Sequence, residues 1–271
     1  MTTYDEYRLL GFTDADREDT ERLTVDPDLV AELAGTLRRQ IGTFPPDSVF
    51  EPSDELAALA AYLETVPDVR AFHASRDVDD EISWATLADL GRQLDVHRRT
   101  HGRFGLETHW WLRAHWFGSL YQLGRLQFLL TQEHRGAPGV EPGEWVLDVH
   151  IPESGPLDPA AIDDSFAQAK DFFATHFPEQ PVRTATLLTW LLDPVLVERL
   201  PAESNLSGFA RRFTLYGEPL DGAASAVYFT FRTRDTDHLD RLPRETQLQR
   251  LVLDRVGGGH GWQNAHGYLR L

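Results

Sequence analysis

Two alternating segments constrain the fold most. Residues 123–128 and 145–151 set polar against apolar side chains with the two-residue period of a strand that buries one face. Arg125 and Gln127 share one face of the first, with Leu126 and Phe128 on the other. Asp148 and His150 share a face of the second, opposite Trp145, Leu147, Val149 and Ile151. The intervening residues 135–143 are rich in Gly and Pro, as a long antiparallel hairpin requires. A sheet face carrying this many polar groups is either solvated or lines a ligand cleft.

Upstream, residues 1–120 read as helical. Asp26-Pro27 is a cap followed by a first-turn proline, and Leu29, Leu33 and Leu37 fall at helical spacing. Ser53 with Leu56, Leu59 and Leu63 predicts a helix ending near Pro67. Trp84, Leu87, Leu90 and Leu94 predict a third; Leu106, Trp110, Ala114, Phe117 and Tyr121 a fourth. That last stripe is too apolar to face water, so the helical region is expected to pack on the sheet through its Trp-rich segment.

Downstream, Asp158-Pro159 opens a helix with Ile162, Phe166, Ala169, Phe173 and Phe177 on one stripe. Residues 184–191 read as a buried strand, expected to lie parallel to 145–151 because a helix of about twenty residues joins them. Asp193-Pro194 opens another helix, and residues 204–213 predict a short one. Residues 213–216 and 226–231 read as strands, and 246–256 as a helix stopped by Gly257-Gly258-Gly259. The expected architecture is α/β of the α+β kind, with a helical domain over 1–120 and a mixed-sheet domain over 121–271.

Composition closes several routes. The net charge of −17, from 43 acidic against 26 basic residues, argues against nucleic-acid binding. With no Cys there is no disulfide, thiolate catalysis or Cys-ligated zinc. The start Met1-Thr2-Thr3-Tyr4 is unlike a signal peptide, and no apolar run reaches a membrane span of ~20 residues, so a cytoplasmic protein without membrane partners is expected. His109 and His115, or His260 and His266, lack a metal-ligand pattern, so no metal is expected.

The chemistry is expected at strand ends. Residues 152–157 lie between a strand and a helix start, where backbone amides and a dipole suit a phosphate, and Gly155 permits close approach. Asp158 at the cap would compete for those amides. His150 and Glu153 are candidate proton acceptors for an amine or alcohol nucleophile, with Asp193 at the next strand end and Asn205 in a polar turn. Arg125, Gln127 and Arg250 are candidates for cofactor contact, Arg being suited to bidentate anion recognition. Each also has a structural reading: a surface strand residue, a helix cap, a solvated helix face.

Several stretches together resemble a bacterial family of acyltransferase-domain proteins, with an N-acyltransferase-like N-terminal region and a GNAT-like C-terminal domain. They are residues 84–90, 123–128 and 150–157, then Ser165, Ala169, Phe172 and Phe173, then 189–194, 204–206, Leu242-Pro243 and 246–250. The resemblance implies a GNAT-like fold and acyl transfer from acyl-CoA or acetyl-CoA to an amine or hydroxyl of a small molecule. The sequence departs from that pattern where GNAT enzymes carry R/Q-x-x-G-x-G/A for the pyrophosphate. Here the place reads Pro152-Glu153-Ser154-Gly155-Pro156-Leu157, and residues 255–260 come nearest elsewhere. The alternative is a ligand-sensing or partner-binding protein on a degenerate GNAT scaffold. Oligomeric state is not readable from the chain.

Overall fold

The structure is a computed structural model that describes residues 2–44 and 50–271. The chain forms two compact units, Met1–Leu123 with Phe128–Thr131, and Gly124–Gln127 with Gln132–Leu271.

The first unit holds α1 (Tyr4–Leu9), α2 (Asp14–Glu21), α3 (Pro27–Gln40), α4 (Glu55–Ser75), α5 (Asp80–Leu87), α6 (Asp89–His101) and α7 (His109–Trp116). It also holds β1 (Leu120–Leu123) and the middle of β2 (Leu126–Gln132). Asp26 caps α3 with Pro27 in its first turn, as expected. The helix expected to end near Pro67 runs on to Ser75. An interior proline costs ~3 kcal/mol, but α4 buries Leu59, Tyr62, Val66 and Val69, whose packing offsets that cost. The single helix expected through Trp84–Leu94 breaks at Ala88 into α5 and α6. Gly91 then approaches the α1–α2 connection so closely that a Cβ there would lie 2.1 Å from the Gly11 carbonyl carbon. The helix expected over 106–121 is also cut short: α7 stops at Trp116, and Tyr121 belongs to β1. The core centres on Tyr62 and Trp116, whose rings lie 4.7 Å apart while the indole N–H donates to the Tyr62 carbonyl at 3.0 Å. No helix among the described residues is long and apolar enough to cross a membrane.

The second unit holds β3 (Trp145–His150), α8 (Pro159–His176), β4 (Thr184–Thr189), α9 (Pro194–Arg199), α10 (Asn205–Ala210), β5 (Thr214–Asp221), α11 (Ala223–Phe231), α12 (Gln247–Gly257) and β6 (Gln263–Arg270). Its strands lie in the order β3-β4-β6-β5. β3 and β4 are parallel neighbours joined by the 18-residue α8, as the sequence predicts. β6 runs antiparallel to both β4 and β5, which makes the sheet mixed. The hairpin before β3 is present: Glu133 donates its N–H to the Glu144 carbonyl and accepts from Gly143.

The structure differs from two expectations here and adds a strand that was not expected. Residues 124 and 125 form a turn between β1 and β2, with Gly124 at φ +61, so Arg125 does not share a strand face with Gln127. Residues 226–231 belong to helix α11, because the preceding Ala223, Ala224 and Ser225 favour a helix and Asp221 accepts from the Ala223 N–H at its start. β6 was not anticipated at all. Asn264, His266, Tyr268 and Arg270 alternate with Ala265, Gly267 and Leu269, and at Gly267 a Cβ would meet Leu192 and Phe213.

Asp193 shows what ties these elements together. Its carboxylate is 3% exposed and accepts from the N–H of Val195 at the start of α9 and of Gln263 at the start of β6, at 2.9 and 2.8 Å. Asp193→Ala orphans both donors and should cost about 2–4 kcal/mol, lowering the calorimetric melting temperature by roughly 5–10 °C. A shift under ~2 °C would show that water replaces the carboxylate.

In the first unit His73 is fully buried, 2.8 Å from the Ser83 hydroxyl, and its ring lies 5.1 Å from Tyr121. Burial, with Arg70 and His115 adding to it, lowers its pKa from 6.5 to about 3. Below pH ~6.5 the unfolded chain takes up a proton that the folded ring refuses, so stability falls as pH falls through that window, by at most ~1.4 kcal/mol per unit. His73→Gln should be less stable at pH 7.5 yet lose less stability than the native chain between pH 6.5 and 4.5, as read by urea unfolding. Parallel losses would contradict this.

Candidate active site

The register of the second unit's sheet builds two rows of side chains on one face. In the first row Asp148 pairs with Thr186, Thr186 with Tyr268, and Tyr268 with Thr214. In the second, two residues further along each strand, Leu188 pairs with His266 and His266 with Tyr216. His150 occupies the same level on β3. The parallel ladder between β3 and β4 holds at Leu147–Ala185 and Asp148–Thr186 and goes no further. His150 ends β3 at the level that Leu188, His266 and Tyr216 occupy on β4, β6 and β5.

The hairpin loop folds back over this face. Ala137, Val140 and Val146 form a small apolar cluster with Tyr216 against it. Arg270 clamps the loop by donating to the carbonyls of Pro138 and Gly139 at 3.1 and 3.0 Å, and also reaches Thr184. Arg135, carried on the loop, makes a bidentate contact with Asp148 at 2.8 and 3.0 Å. Thr186 donates its hydroxyl to the same carboxylate at 3.2 Å. Glu133, 4% exposed, accepts from the backbone N–H of Arg135 and Ala137.

Two polar atoms in this setting are buried without a partner, the Tyr216 hydroxyl and His266 Nδ1. Their rings lie 5.5 Å apart. Burial, then Arg135, lowers the His266 pKa against the opposing pull of Asp148 and Glu133, which favours a neutral imidazole. Burial, then Glu133, pushes the Tyr216 phenol up to about 12, which keeps its proton in place. A neutral imidazole and a protonated phenol on one sheet face are a proton acceptor beside a donor.

The residues singled out from the sequence fall in several places. His150 closes β3, its Nε2 3.6 Å from Asp148. Glu153 sits in the following loop and pairs with Arg232 at 2.6 Å. Gln127 is buried in β2. Arg125 grips the 152–156 loop from the β1–β2 turn. Its guanidinium donates to the carbonyls of Pro152, Gly155 and Pro156 at 2.7–2.9 Å and reaches the Ser154 hydroxyl at 3.3 Å. The arginine on Asp148 is Arg135. Gly155 has φ +118 and open space where a Cβ would stand. Asp158 accepts from the N–H of Ala160 and Ala161, so the first amides of α8 are capped from within. Asp193 ties α9 to β6, Asn205 opens α10 behind its cap Ser204, and Arg250 donates to the Arg244 and Glu245 carbonyls ahead of α12. The structure thus brings Arg125, Glu153 and Gly155 to one loop next to His150, and engages Asp193 and Arg250 elsewhere.

Arg135, Thr186, Tyr216 and His266 were missed. The polar alternation Asn264, His266, Tyr268, Arg270 was the available signal, masked by the glycine run before it. No group of His, Asp and Glu suited to a metal ion is present among the described residues.

Comparison with known proteins follows the same division. Residues 1–118 match the N-acyltransferase N-terminal domain family, and residues 120–269 match the GNAT-like C-terminal domain family. No curated protein sequence matches the chain. Among solved structures, the chain is similar to an acyltransferase in complex with decanoyl-CoA and teicoplanin, at 36% identity and a TM-score of 0.87 over 98% of this chain and 87% of that one. An acyltransferase in complex with decanoyl-CoA aligns at 33% identity and a TM-score of 0.90, over 98% and 86% of the two chains. An acyltransferase mutant in complex with octanoyl-CoA gives 33% and 0.90, over 98% and 87%. The chain therefore belongs to the N-acyltransferase family with a GNAT-like C-terminal domain, whose chemistry is the transfer of an acyl group from an acyl-CoA.

Proposed function

We propose that this chain transfers a medium-length acyl group from acyl-CoA to an amine of a glycopeptide-like small molecule, at the end of the β3–β4 ladder. One observation carries the reading: at the end of the two-pair parallel ladder of β3 and β4, His150 shares one level of the sheet face with a neutral His266 and a protonated Tyr216. The acyl length and the acceptor class draw support from relatives crystallised with octanoyl-CoA, decanoyl-CoA and teicoplanin.

In this reading the acceptor amine attacks the thioester carbonyl carbon. The C–N bond forms, the C–S bond breaks, and the amine proton passes to His266 Nδ1. The Tyr216 hydroxyl donates to the departing sulfur and recovers its proton from the imidazolium, leaving an amide and free CoA thiol. Asp148 and Arg135 hold the loop that buries both groups. A positioned acid or base contributes typically 10²–10⁴-fold.

The test is a coupled assay of free thiol and amide product with decanoyl-, octanoyl- and acetyl-CoA and a teicoplanin-type amine. The native chain should release thiol and form the acylated product fastest with the two longer donors. His266→Asn and Tyr216→Phe should each lower kcat by ~10²-fold, with decanoyl-CoA affinity within about threefold of the native value. Tight decanoyl-CoA binding without transfer to any amine would favour the ligand-binding alternative. Unchanged kcat in both variants would remove His266 and Tyr216 from the chemistry.

A further inference from the structure

Acyl transfer from CoA requires something to neutralise the phosphates of the nucleotide, and residues 152–157 carry neither the Arg nor the Gln of the pyrophosphate motif. Arg125 directs its donors at that loop's own carbonyls. A second arginine stands at the same end of the sheet. Arg232 closes α11 at φ +54, a left-handed conformation uncommon for a residue with a Cβ and concentrated at functional sites. Its Nη2 lies 2.6 Å from Glu153, in the loop that follows β3. Its guanidinium stands 5.3 Å from the ring centres of both Tyr228 and Phe229. The side chain is only 16% exposed, and its Nε is buried with no partner.

The same end carries aromatic rings beside it. Phe229 is 51% exposed and lies parallel to Trp190, the residue that follows β4, at 6.5 Å and 5° between planes. Arg234 lies 4.5 Å over the Tyr228 ring. The carboxyl ends of β3 and β4 thus present a pinned arginine with donor capacity left over, next to a half-exposed aromatic plate. Ligands of parallel sheets bind beyond such ends, and a guanidinium beside a flat apolar ring matches a phosphate joined to a planar base.

We propose that Arg232 is the phosphate-binding cation for the nucleotide part of the acyl donor, held in position by Glu153, with Phe229 as the surface on which the base lies. Glu153 is then a positioning residue. This inference rests on the reading of the chain as an acyl-CoA enzyme.

Three donors separate the roles: decanoyl-CoA, decanoyl-dephospho-CoA and the decanoyl thioester of N-acetylcysteamine, which lacks the nucleotide. Arg232→Ala should raise KM for decanoyl-CoA at least tenfold and leave KM for the N-acetylcysteamine thioester within twofold, with kcat little changed. Arg232→Lys should recover most of the loss. Arg232→Gly, suited to the left-handed position, should melt no lower than the native chain yet keep the full KM defect, which a purely structural ion pair would not produce. If the dephospho donor shows the same penalty, the contact is to the pyrophosphate; if native and variant bind it equally, the contact is to the 3′-phosphate. Equal KM for decanoyl-CoA in Arg232→Ala and the native chain, or parallel losses with all three donors, would overturn the proposal. Calorimetric titration with free CoA tests it apart from catalysis. A tenfold weaker Kd in Arg232→Ala supports it and equal Kd refutes it, whereas failure of the native chain to acylate any amine counts against the proposed function alone.

Discussion

The second unit is organised around a carboxylate in the wrong place for a sheet core. Asp148 lies on β3, 4% exposed, on a face covered by a loop. An unpaired charge there would cost several kcal/mol, so the loop that covers it must bring a cation. Arg135 does so bidentately, and Thr186 occupies a remaining lone pair. A buried pair of this kind adds little net stability over apolar packing, but it fixes where the loop sits. The clamp of Arg270 on Pro138 and Gly139 fixes the loop's other end. Polar groups on that face are consequently desolvated, which sets the state of His266 and Tyr216.

The proposed chemistry draws on the next row of the sheet. The register of β3 with β4 runs through Leu147–Ala185 and Asp148–Thr186, and the next level on that face carries His150, Leu188, His266 and Tyr216. The other face of the same strands stays closed, with Leu147, Val149, Ala185 and Leu187 all buried. The apolar core and the polar candidate site thus lie on opposite faces of one sheet. The loop after β3 is stiffened from outside by Arg125 and pinned by the Glu153–Arg232 pair.

How much of this the sequence announces depends on which residues carry the signal. The alternation in β3 and the apolar run in β4 are local, and the length of α8 forces a crossover, so the parallel pair was legible. The capping of α8 by Asp158 was legible for the same reason, because side chain and amides are neighbours in the chain. The helix α4 crosses Pro67, and α11 replaces an expected strand, because burial of residues such as Tyr62 and Val66 in the one and Ala226 and Val227 in the other outweighs local pattern. β6 was hard to read because its inward face carries only small residues at Ala265 and Gly267, the space at Gly267 being filled by Leu192 and Phe213. The candidate site was half legible. His150 ends the alternating strand β3, and Glu153 follows it in the next loop. His266, Tyr216 and Arg135 meet Asp148 only through registers and a loop that no local spacing records.

The central claim is that acyl transfer takes place at the end of the β3–β4 ladder. The most direct measurement uses an acyl-CoA analogue whose thioester is replaced by a stable thioether, with a diazirine beside the sulfur, photolysed on the native chain and mapped by peptide mass spectrometry. The account predicts labels within residues 148–153 and 186–190, suppressed by excess decanoyl-CoA. Suppressible labelling confined to the α9–β5 region or to the helical N-terminal unit would contradict it.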